Sequence, residues 1–85
     1  MDEEKRAPAY TVRADWDPEA EVWVAVSDEV PGLATEAGTL EALAEKLRTL
    51  IPELLEANDL QTGDPAGELS FEIIGHLRER LPMAS

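Results

Sequence analysis

The chain has 85 residues and no cysteine, and seven Lys and Arg stand against nineteen Asp and Glu, a formal net charge of −12. Such a length allows one domain with a thin core, burying only about 60–65% of the surface its unfolded form exposes. The composition excludes a disulfide framework, a thiolate metal site and a thiol nucleophile. It also argues against direct nucleic-acid binding, which needs a basic patch.

Met1–Ala9 is charged, broken by Pro8 and without periodicity, so it reads as a flexible arm before a single domain over residues 10–80. It lacks the apolar core of a signal peptide, and no apolar run approaches 18 residues. The expected location is therefore the cytoplasm, without membrane contact. Tyr10, Val12, Ala14 and Trp16 alternate with Thr11, Arg13 and Asp15, which predicts a strand over Tyr10–Trp16 with one buried face. Asp17-Pro18-Glu19-Ala20 reads as a type I turn, because proline presets φ at its second position. The second strand, Glu21–Ser27, sets Val22, Val24 and Val26 on one face and Trp23 and Ala25 on the other. Apolar residues on both faces mark a central strand. So short a chain has little to cover the second face, which makes Trp23 the leading candidate for an interface residue. The competing reading places Trp23 under the chain's own termini.

Val30-Pro31-Gly32 predicts a tight turn: Pro31 holds Val30 extended, and Gly32 supplies the positive φ of a type II turn. A short third strand follows over Leu33–Ala37. Thr39 is placed as the N-cap of a helix from Leu40 to about Ala57, with Glu41 in the first turn facing the positive end of the helix dipole. Leu40, Leu43, Leu47, Leu50, Ile51, Leu54 and Leu55 make one apolar stripe, the core face of that helix. Pro52 predicts a kink or a second short helix. Asn58–Gly67 is loop-like in composition. Leu69, Phe71 and Ile73 then predict a fourth strand over Glu68–Ile74, with Gly75 as a candidate bulge. His76–Ser85 reads as an extension of that strand, as a tail from residue 81 onward, or as one helical turn before Pro82.

Few parts of a catalytic site are present. His76 is the only histidine. Asp15, Asp17 and Glu19 cluster at the first turn without the ligand spacing of a calcium loop, and exposed turn carboxylates are the simpler reading. The serines have no histidine at a recognisable spacing, and the glycines form no phosphate-cradling run. Glu36 and Glu41 flank the exit of the third strand without forming an acid/base pair. No enzyme, no metal and no cofactor is expected.

The stretch Trp16–Leu43, WDPEAEVWVAVSDEVPGLATEAGTLEAL, followed by KLRTLIPELLEAN, resembles a family of small uncharacterised bacterial proteins related to the N-terminal domain of HicB antitoxins. Trp16, Pro31, Gly32 and Thr39 are structural positions of that motif. The resemblance implies an α+β domain of order β-β-β-α-β, an antiparallel meander plus a helix on one sheet face and a final strand. This layout is similar to a truncated ribonuclease H or double-stranded-RNA-binding domain. The strand and helix pattern yields the same order independently. In HicB systems the antitoxin domain binds HicA, a small basic RNA-cleaving toxin, and a separate segment binds DNA. No such segment lies within these 85 residues and the ribonuclease H aspartates do not line up, so neither repression nor nuclease activity is carried over.

The expected function is a non-enzymatic protein-interaction module that binds and neutralises a basic HicA-like toxin. Trp23, Asp28, Glu29 and Glu36 are its candidate partner-binding or dimer-binding residues. The alternative is a free-standing oligomeric domain without a toxin. A homo-oligomer, most simply a two-fold dimer, is expected under either reading.

Overall fold

The structure, a computed structural model, describes residues 9–58 and 69–83. The observed order is the expected α+β sequence: β1 (Ala9–Asp17), β2 (Val22–Val26), β3 (Ala34–Ala37), α1 (Leu40–Ala57) and β4 (Ser70–His76). The arm before residue 9, most of the loop over residues 58–67 and the last two residues of the tail lie outside the described residues.

The four strands form one sheet of order β3-β2-β1-β4. β1 with β2 and β2 with β3 are antiparallel, whereas β4 runs parallel to β1, with Val12 opposite Ile73 and Asp15 opposite His76. This direction follows from the helix. Eighteen residues of α-helix span about 27 Å and return the chain to the end of the sheet where β1 begins. The last strand must then point the same way as β1. β1 thereby becomes a central strand, paired on both edges.

Strand alternation sorts the side chains onto two faces. Val12, Ala14, Ala25 and Ala37 face the helix and join its stripe Leu43, Leu47, Ile51 and Leu55 in the buried core. Small residues on the strands and leucines on the helix let the two layers approach closely. The turn Val30–Leu33 adds two more core residues, Val30 and Leu33. It closes as expected, with Leu33 N–H donating to the Val30 carbonyl at 3.1 Å and Gly32 at φ +82°. Thr39 caps α1, its Oγ1 accepting from the Ala42 N–H at 3.0 Å.

Three local features depart from expectation. The helix runs without interruption through Pro52, so no second helix starts there; its own stripe, buried on both sides of the proline, carries it across the lost backbone bond. Gly75 is no bulge, since it pairs in register with Ala14. The first hairpin loop is longer than a type I turn alone. Asp17 Oδ1 accepts from the N–H groups of Glu19 and Ala20, the Glu21 N–H donates to the Asp17 carbonyl at 2.7 Å, and Glu21 sits at φ +59°.

One helix does not cover this sheet. Four strands at about 4.8 Å spacing make a face roughly 15–20 Å across, and a helix with its side chains is about 10 Å wide. α1 packs over β3 and β2. On the same face, the β1–β4 half keeps Tyr10, Leu69, Phe71 and Ile73 only half-buried. The opposite face carries Val22, Val24, Val26 and Ile74 with no described element above them.

The left-handed residue gives a direct test. A non-glycine residue at positive φ costs about 1–2 kcal/mol, partly offset by the greater chain entropy that glycine loses on folding. Glu21→Gly is expected to stabilise the fold by about 0.5–1 kcal/mol, read as a raised denaturation midpoint at unchanged slope.

Candidate functional site

The four residues singled out from sequence do not converge. Trp23 lies on β2 on the helix-bearing face, so the uncovered side of that strand is the valine side. Glu36 points to the opposite face from β3, where it pairs with Val24. Its carbonyl accepts from Lys46 Nζ at 2.6 Å. Asp28 and Glu29 follow the other end of β2, in a shallow recess shared with Thr11, Arg13, Val26 and Ser27.

Glu29 has a structural task there. β2 ends at Val26, so its ladder with β1 stops at Arg13, and side chains continue the pairing. Glu29 Oε1 accepts from the Thr11 N–H at 2.7 Å, while Ser27 Oγ donates to the Thr11 carbonyl at 2.7 Å and accepts from the Glu29 N–H at 3.1 Å. Thr11 is thus satisfied by two side chains where a strand would otherwise run.

A different place gathers apolar surface and charge. Trp16 and Trp23 face each other across the β1–β2 pair, with ring centroids 5.3 Å apart and planes at 61°. That edge-to-face geometry is the favoured one for aromatic pairs. Gly75 makes room for the stack: a β-carbon there would lie 3.4 Å from the Trp23 ring. The two indoles form one wall of an open cleft of about 460 Å³. Gly38, the cap Thr39 and Leu40 at the start of α1 form another, and Leu77 after β4 forms a third. Glu41 and Glu79 complete the lining. Both carboxylates are exposed, and both tryptophans are only half-buried.

No polar or charged side chain is buried among the described residues. Asp15, Asp17 and Glu19 do not assemble into a metal site: among the described residues no three His, Asp or Glu side chains lie close enough to share an ion. Asp15 instead sits 3.5 Å from Arg13 and 3.7 Å from His76. No described helix is long and apolar enough to cross a membrane.

The sequence signal for the cleft was partial. Both tryptophans stood out, but their pairing depends on strand register, and the approach of Leu77 and Glu79 depends on β4 lying beside β1. Two substitutions separate structural from binding roles. Glu29→Ala is expected to cost about 1 kcal/mol of stability in urea unfolding, with Glu29→Gln nearer to neutral because an amide oxygen still accepts. Gly75→Val is expected to cost on the order of 1–3 kcal/mol and to shift tryptophan emission, because the added methyls enter the Trp23 ring.

Comparison with known proteins identifies relatives but no reaction. No curated protein matches the chain. The crystal structure of the hypothetical protein TTHA1013 from the extremely thermophilic bacterium Thermus thermophilus is similar, at 47% identity and a TM-score of 0.66. The match covers 89% of this chain and 100% of that one. Neither comparison carries a link to HicB antitoxins. The model of a domain of unknown function, DUF1902, matches residues 9–83, and the chain belongs to that family.

Proposed function

We propose that the chain is a non-catalytic protein-binding module, and that the tryptophan cleft receives a basic segment of its partner. The carrying observation is the Trp16–Trp23 pair, open on one side and accompanied by Glu41 and Glu79. A lysine or arginine fits such a site twice over. Its aliphatic stem packs on the apolar wall, and its charged head meets an indole face and a carboxylate. The charge of −12 favours the same class of partner by steering a cationic surface towards it. The resemblance to HicB antitoxins makes a small basic HicA-like toxin the specific candidate, bound and neutralised by this domain. The alternative is a free-standing oligomer without a toxin, supported by the incompletely covered sheet.

The test is a pull-down with the tagged chain from its native host at low salt, followed by reconstitution with the protein recovered. A small basic protein is expected, released as ionic strength rises past about 0.15 M, where charges are screened beyond about 8 Å. Glu41→Lys with Glu79→Lys is expected to weaken the reconstituted complex at least tenfold without changing the fold, since both side chains are exposed. A partner whose affinity ignores both salt and this double reversal would contradict the cleft as its site.

A further inference from the structure

Beyond the cleft, the structure leaves the C-terminal segment unsupported. β4 ends at His76, and residues 77–83 continue without secondary structure. Leu77 is 50% exposed, Leu81 78% and Met83 89%. β4 is an edge strand of the sheet, and its helix-bearing side shows Phe71 and Ile73 only half-buried.

We infer that residues 77–83 form an exchanged arm, which pairs antiparallel with the outer edge of β4 in a second copy of the chain. The two copies would join their sheets into one of eight strands about a two-fold axis. Three observations select a second copy as the occupant.

The first is side-chain parity. A two-fold axis that pairs two β4 edges antiparallel stands perpendicular to the sheet, so each helix-bearing face maps onto the same side. Directly opposed residues then share parity. Extended as a strand, residues 77–83 would continue the alternation of Phe71 and Ile73 and set Leu77, Leu81 and Met83, together with Glu79, on the face that α1 leaves open. Centring the pairing on His76 or on Leu77 sets Leu81 opposite the partner's Phe71 or the partner's Ile73. Slipping the register by a single residue would send the apolar side chains to the wrong face.

Length is the second. The arm and β4 are each seven residues long, so one arm spans the strand it meets. Pro82 has no N–H and ends the backbone ladder at Leu81, leaving Met83 to reach the neighbour by its side chain.

Charge is the third. The arm carries Arg78 and Arg80 against Glu79, a net positive segment in a chain of −12. By the same parity both arginines would lie on the face of Glu72, so a second copy of this acidic chain brings its own cations to the joint. The pairing uses the outer edge of β4 and does not rest on what the cleft binds.

The test is sedimentation of the full chain at about 100 μM, comparing wild type with Leu81→Asp and with Val26→Asp. Leu81 and Val26 are both exposed, so neither change should disturb the helical signal in circular dichroism, which is recorded alongside. A wild-type dimer that Leu81→Asp weakens at least tenfold, and that Val26→Asp leaves intact, would establish the exchange. A monomeric wild type would overturn it, as would a dimer indifferent to Leu81→Asp. A dimer lost with Val26→Asp but kept with Leu81→Asp would assign the interface to the valine face instead. Glu79 belongs to both the arm and the cleft lining, so the cleft is tested separately by Glu41→Lys alone, which leaves the arm unchanged.

Discussion

A four-stranded sheet with a single helix has more apolar face than the helix can cover, and most features of this protein follow from that shortage. The leucines of α1 seal β3 and β2, where alanines let the helix settle close to the strands. β1 contributes Val12 and Ala14 to the same core and joins its two halves. Past β1 the cover thins, and Phe71 and Ile73 remain half-buried. On the other face, the valines of β2 stand beside Arg13, Asp15, Glu36 and Glu72, a mixed surface of the kind antiparallel sheets turn to solvent. A domain of this size has little stability to spare, and the proposed pairing of two copies would cover the apolar shelf at the sheet edge.

The sequence was most legible where one residue type has one physical use. Thr39 before an apolar stripe gave the helix start, and Val-Pro-Gly gave the turn that buries Val30 and Leu33. Alternation gave all four strands to within two residues at each end. Less legible were features that arise only when distant segments meet. The place of β4 beside β1 depends on the length of the returning helix. The role of Gly75 depends on the Trp23 ring that lies over it. Which side of β2 is covered depends on where α1 lands, and the small Ala25, rather than the larger valines, proved to mark the covered side. The left-handed Glu21 carries no sequence signal at all, because glycine or asparagine is the usual choice there. Of the candidate site, Trp23 belongs to the cleft, Glu29 is spent on Thr11, and Asp28 and Glu36 lie elsewhere.

The cleft and the arm meet at Leu77 and Glu79, which line the one and begin the other. Their faces have different chemistry. Indole and carboxylate favour a cation, whereas Leu81, Met83 and an open strand edge favour a like strand. The proposed self-association and the proposed partner binding would therefore use adjoining surfaces that share Leu77 and Glu79, and a dimer would present its two clefts near the axis that relates them. The acidic surface limits unwanted association at both, since two bodies of this charge approach closely only where cations or apolar groups compensate.

Hydrogen–deuterium exchange of the full chain at two concentrations, well above and well below dissociation of the dimer, tests most directly whether a second copy completes the sheet. Concentration-dependent protection of amides in residues 77–81 and along β4, with α1 unchanged, is the predicted result. Equally fast exchange of residues 77–81 at both concentrations would contradict it.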